Sequence, residues 1–369
     1  MIKKTVIYPF SHASNCLPRY YQMLSGYQIT SVVVPGKLPQ GELDASFYDE
    51  GETMGIPINY DLAMQLTNCD TLIWSEFDYT DIPGFRNQVF NHISNALRRG
   101  TSVICTQPLN CSELKKFETE AIQSDSSFRY LDYEACPDEI FDTAILKKIK
   151  VPVISVYGTI ENCSKFETQL ALRKRFLDEG YRVTQIGSRH YSSLFGFHSF
   201  PHFMFETGYS ETQKILGFNR WLNKLSDEEK PDVIILGVPG GLLPVNDRFP
   251  FHFGIIAYLV SCAIETDCTI LNLPCEEINT AYIKRMQNLF RYRFGTQLDC
   301  IAMSNVRMNQ DSVSSEYQAL EYDVLPHRLL SSLVAKCSQE LVPVFGVVDG
   351  DQLFQYICSY LSGNNERVV

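Results

Sequence analysis

The sequence predicts an α/β protein built as two doubly wound domains, residues 1–147 and 148–369. Three observations carry that prediction. Short apolar runs alternate with amphipathic segments of about 15 residues along the chain, the pattern of parallel sheets covered by helices. The length of 369 residues suits two domains of ~100–200 residues each. A polar stretch over residues 132–150, followed at once by a new apolar run, separates two such series.

In the first series, residues 5–8 (TVIY) form a buried strand and 11–15 (SHASN) a polar turn. Residues 29–34 form a second strand that ends at Pro35-Gly36, and 71–75 (TLIWS) a third after the Asn68-Cys69-Asp70 turn. Residues 84–99 are an amphipathic helix stopped by Gly100, and 102–105 the next strand. The second series opens on the strand 151–157 (VPVISVY), followed by a turn and a helix over 165–179 closed by Gly180. Further strands are expected at 182–186, 232–237 (DVIILG), 269–273, 300–304 and 342–348, with helices over 207–224, 253–265 and 279–290. The 226–229 segment (SDEE) is read as a turn after the first of these helices.

Composition narrows the function. Forty-three acidic residues against 32 Lys plus Arg leave a net charge of −11 without a basic stripe, which argues against nucleic acid or an anionic membrane as partner. The twelve cysteines include no CxxC pair, so a structural zinc site is not expected and no metal site is assigned. The N-terminal MIKK leads directly into a strand rather than a secretory apolar region, and no apolar run approaches the ~20 residues of a membrane span. A cytoplasmic protein with reduced, mostly buried thiols is the expectation.

The segment with chemistry in it is Gly158-Thr159-Ile160-Glu161-Asn162-Cys163-Ser164-Lys165-Phe166-Glu167-Thr168. It joins a buried strand to a helix, where free backbone N–H groups and the helix dipole favour an anion. The usual phosphate loop reads GxxxxGK[ST]. Here the spacing is Gly, five residues, Ser, Lys, with Lys165 placed to meet the β- and γ-phosphates. Ser164 stands where the second glycine would be. Phe166 replaces the hydroxyl residue that binds Mg²⁺, leaving Thr168 one turn on as the nearby substitute. A chance strand–turn–helix is the competing reading of the pattern.

From about Val151 to Pro274 the chain resembles the C-terminal half of a bacterial two-domain family with a Rossmann-like N-terminal domain and a P-loop domain related to dethiobiotin synthetase. The loop GTIENCSKFET stands for that family's GTxxxxGKxTT, and 185–197 followed by Pro201 for its next strand-end segment. Residues 234–242 (IILGVPGGL) stand for its third strand end. Within this group, GTIENCSKFETQL is most similar to the clostridial "peptide maturation system" proteins of ribosomal natural-product clusters. The resemblance implies a Rossmann-like then P-loop-NTPase-like fold, and ATP or another nucleotide with Mg²⁺ as cofactor. It also implies a precursor peptide and a radical-SAM modifying enzyme as partners. A homodimer is left open.

There are departures. The acidic residue at the end of the family's third strand aligns with Val238, and Asp232 sits at the other end of that strand. Glu161 and Glu206 are the carboxylates left to compensate. A site that binds without turnover, an active ATP-dependent ligase or kinase, and a non-catalytic scaffold are the three functions carried forward.

Other candidates carry two readings each. Ser188 and His190 follow the 182–186 strand and are read as contacts to substrate or phosphate. His198 and His202, split by Pro201, are read with His190 as a histidine-rich loop rather than a metal set. Gly240 and Gly241 end a buried strand where a backbone can approach a ligand, or simply turn. Residues 246–253 (NDRFPFHF) are a ligand-facing lid or a packed segment. Cys163 is a low-pKa thiol near a helix start or a packed one. Residues 11–15 lack the glycines of a dinucleotide turn, so a polar small-ligand pocket or a bare scaffold is expected there. Asn272 and Asn305 stand where P-loop relatives read a base.

Overall fold

The computed structural model describes residues 2–36, 43–77, 84–141, 145–244, 253–309, 321–337, 341–347 and 349–364. The chain divides into two compact units, Met1–Asp132 with Ser193–Gly196, and Tyr133–Ser192 with Phe197–Val369. Residues 133–141, read from sequence as part of the first domain, pack with the second. Ile140 is buried in the second unit's core, and Phe141 stacks on Tyr209 at 4.5 Å. An apolar Ile-Phe pair inside a polar stretch is what draws that segment across.

The first unit has six strands: β1 Lys3–Tyr8, β2 Tyr27–Val33, β3 Ile58–Asn59, β4 Thr71–Trp74, β5 Ser102–Cys105 and β6 Phe128–Tyr130. They pair in the order β3-β2-β1-β4-β5-β6, every pair parallel, which is the Rossmann-like order. Helix α1, Phe85–Arg98, turns Phe85, Val89, Ile93, Ala96 and Leu97 inward, as its 3.6-residue period requires. Helix α2, Cys111–Gln123, is not legible from apolar periodicity. Its signal is Asn110 with Glu113 three residues on, a reciprocal capping pair at its start.

The second unit contains β7 Val153–Gly158, β8 Val183–Gly187, β9 His198–Ser199, β10 Val233–Gly237, β11 Cys268–Leu273, β12 Cys300–Met303, β13 Val306–Met308, β14 Tyr322–Val324 and β15 Val344–Gly346. Seven of these form one sheet in the order β15-β12-β11-β7-β10-β8-β9, all pairs parallel, while β13 and β14 make a small antiparallel ribbon. Its helices are α3 Lys165–Asp178, α4 Glu211–Glu229, α5 Ile255–Ala263, α6 Thr280–Leu289, α7 His327–Lys336 and α8 Gly350–Asn364.

The apolar strands serve two cores at once. On β7, Val153 and Tyr157 join one core while Ile154 and Val156 join the other; β10 divides Ile234 and Leu236 from Val233 and Ile235 in the same way. Both faces of a central parallel strand are covered, so it reads as a continuous apolar run rather than an alternation. Helices α3 and α8 cover one face through Leu172, Phe176, Leu353 and Phe354. Helices α4 to α7 cover the other through Phe218, Trp221, Val260, Met286 and Leu330.

One boundary differs from expectation. Helix α4 starts at Glu211, because Ser210 and Gln213 form the capping pair, and it runs through the 226–229 segment to Glu229. Nothing in SDEE breaks a helix; Lys230, in the left-handed conformation at φ 48°, ends it. Among the described residues no helix is long and apolar enough to cross a membrane. All twelve cysteines are free thiols.

Candidate functional site

The chain leaves β7 toward β8 and β10 on one side of the sheet and reaches β11 on the other. The carboxyl end of β7 is therefore a topological switch point, where such sheets open a crevice for ligands. Residues 159–164 occupy that place, between Gly158 and the start of α3 at Lys165.

The loop is pinned from both neighbours. Thr159 N–H donates to the Asn272 carbonyl at 2.9 Å, at the end of β11. The carbonyls of Gly158 and Thr159 accept from Leu242 at 2.9 Å and Leu243 at 3.1 Å, just beyond β10. Gly240 turns at φ 79° and its carbonyl accepts from Lys165, while at Gly241 the loop backbone itself approaches closely. A Cβ at Gly241 would stand 2.9 Å from both Ile160 Cα and the Thr159 carbonyl oxygen.

Ser164 keeps the backbone shape of the glycine it replaces, with φ 58° and ψ 29°. Its hydroxyl bonds the Ser304 hydroxyl at 2.8 Å, and its carbonyl accepts from Asn272 Nδ2 at 3.3 Å. A left-handed conformation costs a non-glycine residue about 1 kcal/mol. Ser164→Gly and Ser164→Ala both lose the hydroxyl bond, but only glycine relieves the backbone. Urea denaturation should accordingly find the alanine variant less stable than the glycine variant by about 1 kcal/mol.

Lys165 is 5% exposed, and its ammonium donates to the Gly240 carbonyl. Burial holds its pKa below the ordinary lysine range, while Cys163 and Glu161 act to raise it and Arg189 to lower it. The Lys165 side-chain nitrogen is thus held in the interior against a neutral carbonyl, beside the N-terminus of a 14-residue helix. Thr159 Oγ1 is buried in the same loop without a hydrogen-bond partner among the described residues. An anion entering at this point would meet the Lys165 side chain, the N-terminus of the helix and the Thr159 hydroxyl.

Several expectations are corrected. Cys163 is fully buried, donates to the Ile160 carbonyl at 3.0 Å, and has its pKa pushed up by burial, so it is a packed thiol rather than a nucleophile. Phe166 turns into the core, edge-on to Tyr191 with ring centres 5.6 Å apart. Thr168 cannot stand in as a Mg²⁺ ligand: it is 1% exposed, donates to the Ser164 carbonyl at 3.1 Å and accepts from Asn272 Nδ2 at 2.7 Å. Asn272 is itself fully buried and ties the loop to α3 through Nδ2, while its Oδ1 has no hydrogen-bond partner among the described residues. Asn305 is held to Leu325, donating from Nδ2 to its carbonyl at 3.3 Å.

The remaining candidates fall around this centre or away from it. Glu161 is exposed, and Asn162 accepts from Arg189 Nη2 at 3.4 Å. Ser188 bonds Gln169 twice, its hydroxyl accepting from Nε2 at 3.0 Å and its N–H donating to Oε1 at 3.3 Å. Gln169 is the central residue that sequence reasoning missed. Fully buried, it also donates to the Lys165 carbonyl at 2.9 Å and fills the space that the bare Cα of Gly237 leaves open. A glutamine four residues after the loop lysine was the available signal. Residues 246–252 of the expected lid lie outside the described residues.

The histidines separate. His190 is buried with its ring against Tyr133 and Tyr191, and His202 pairs with Glu206 at 2.7 Å, which removes that glutamate from the loop. His198 lies between Glu134 at 3.0 Å and Glu229 at 2.7 Å, and these partners, Glu134 foremost, raise its pKa to about 9 against the opposing effect of burial. Among the described residues no group of three or more His, Cys, Asp or Glu is placed to hold a metal ion. Because the folded-state pKa of His198 is raised, its contribution is complete below about pH 6.5 and is lost as pH rises through about 9. Urea midpoints should therefore fall between about pH 7 and about pH 9.5 by an equivalent of about 1–2 kcal/mol, water screening included. In His198→Gln that slope should disappear.

The residues that the pattern would assign to a Mg²⁺ ion do not fit it. Phe166 and Thr168 are committed elsewhere. Val238 is part of the apolar core, and Asp232 is exposed at the amino end of β10, bonded to Arg182 at 2.8 Å.

Fold and site together define a two-unit α/β protein, Rossmann-like then P-loop-like, with an altered phosphate loop at the second sheet's switch point. Among solved structures the chain is similar over its whole length to a DUF1611 family protein from Anabaena variabilis, with 13% identity, TM-score 0.59, and coverage of 97% of this chain and 99% of that one. At that identity the likeness concerns the fold. Partial matches to a homoserine dehydrogenase from S. aureus (12% identity, 36% of this chain and 33% of that chain, TM-score 0.26) and to an apo-form GTPase from Pyrococcus abyssi (12% identity, 57% and 97%, TM-score 0.32) are too weak to bear on function. No family model and no curated protein matches the chain.

Proposed function

We propose that the second unit binds a phosphate-bearing small molecule, ATP or another nucleotide, at residues 158–165 without Mg²⁺-dependent turnover. We propose further that it does so as an accessory protein in the maturation of a ribosomally made peptide, alongside a precursor peptide and a radical-SAM enzyme. The observation that supports ligand binding is Lys165, a buried cation whose partner is the neutral Gly240 carbonyl at a sheet switch point. The pathway assignment rests on the resemblance of GTIENCSKFETQL alone.

Thermal shift and calorimetry with ATP, GTP, ADP and pyrophosphate, each with and without Mg²⁺, test the reading, because a ligand that binds only the native state raises its stability. Stabilisation that does not depend on Mg²⁺ is expected. No shift with any of them would leave a scaffold as the function. ATP consumption, alone or when a precursor peptide is added, would make the protein an active ligase or kinase instead.

A further inference from the structure

The first unit holds a cavity of about 490 Å³ that the phosphate-loop reading does not use. It lies at the carboxyl ends of β1 and β2, bounded by Tyr8 and residues 34–36, and is walled by the 60–66 segment and one side of α1. That sheet edge is where open α/β sheets bind ligands, and the volume is that of a small-molecule site.

Its walls differ in character. Gln88, His92, Asn95 and Arg99 recur at helical spacing and all line the cavity. Across from them stand Val34, Leu62 and Leu66, all buried. His92 Nδ1 is hydrogen-bonded to the Tyr8 hydroxyl at 2.8 Å, and burial holds its pKa below the ordinary range. Among the described lining residues Arg99 is the one Lys or Arg, and its guanidinium reaches the Ala63 carbonyl only at 3.4 Å. The one carboxylate among the described lining residues, Asp61, accepts from the Met64 N–H at 3.1 Å.

We propose that this cavity binds a small organic monocarboxylate, with the carboxylate on Arg99 and Asn95 and an apolar body against Val34, Leu62 and Leu66. The Arg99 guanidinium offers a carboxylate a charge-assisted pair, and Asp61 is already engaged by the Met64 N–H. A phosphoanhydride would bring several charges past Asp61, and the turn after β1 has no glycine cradle for them: Ser14 Oγ is spent on the Ser11 carbonyl at 3.1 Å, and His12 Nδ1 bonds the Tyr48 carbonyl at 3.0 Å.

The test uses the full chain with hexanoate and phenylacetate as probes against hexanamide and phenylacetamide, read by saturation-transfer NMR. The carboxylates are expected to bind with a Kd of about 1 mM or tighter, and the amides at least about tenfold more weakly. Arg99→Gln, at an exposed position that leaves the fold intact, should erase the difference, and Arg99→Lys should keep part of it. Lys165→Met should leave carboxylate binding unchanged, which separates this site from the phosphate loop. Equal binding of acids and amides, a preference that survives Arg99→Gln, or no binding at about 10 mM probe would each overturn the proposal.

Discussion

Lys165→Met is expected to weaken phosphate-ligand binding by about 10- to 100-fold while leaving the unliganded protein as stable as before, or more stable by about 1 kcal/mol. The two effects separate because the buried ammonium meets a carbonyl rather than a carboxylate. Methionine fills a similar volume without a charge to desolvate, and the loss is one donor to the Gly240 carbonyl, worth about 1 kcal/mol. A charge-assisted bond to phosphate is worth about 1.5–3 kcal/mol, so the Kd for ATP or pyrophosphate should weaken by about 10- to 100-fold. In the parent protein, ligand at about 100 times its Kd adds about 2.7 kcal/mol, a rise of roughly 5 °C or more in Tm; at the same ligand concentration the variant should keep only about 0.4–1.4 kcal/mol of it. A lysine with a purely structural role would behave the other way, lowering the Tm of the unliganded protein and leaving the ligand shift intact.

Gly158→Ala should destabilise the protein by about 3 kcal/mol or more. The added Cβ would stand 2.5 Å from Cys163 Sγ, 2.6 Å from Lys165 Cδ and 2.8 Å from the Ile160 carbonyl oxygen. The last of these is backbone, fixed by a loop tied to β11 and to residues 242–243, so no rotamer change relieves all three contacts. Gly208→Ala is the control, since a Cβ there meets nothing within 4 Å, and it should stay within about 0.5 kcal/mol of the parent. Urea denaturation of both variants measures the difference. Gly158→Ala unfolding like the Gly208 control would mean that the loop is far looser than its contacts indicate.

Much of the second unit was legible in the sequence because its information is local. Residues 153–157 and 233–236 are apolar without interruption, as strands covered on both faces must be, and a loop with a lysine followed one of them. Departures from the phosphate-loop pattern were legible too: Phe166 and Val238 are apolar where metal chemistry needs oxygen, and both lie in the core. What was not legible depends on residues distant along the chain. Asn272 stands 104 positions from Thr168, and Ser304 stands 140 from Ser164; in each pair the two side chains are hydrogen-bonded. Gln169 was missed because a glutamine inside a helix is ordinarily a solvated residue. Only the approach of Gly237 and Ser188 makes it a buried tie between helix and strands.

The sequence by itself determined an α/β protein of two doubly wound units with a lysine-bearing loop at the start of α3, because periodicity, turn residues and motif spacing are properties of neighbours along the chain. The tertiary structure decided where residues 133–141 pack, which hydroxyls are spent within the protein, and that Gly241 packs closely on the loop backbone. It also decided that Lys165 is buried against a carbonyl. Those outcomes turn on close approaches between segments far apart in sequence, and hydrogen bonding and desolvation act through space rather than along the chain.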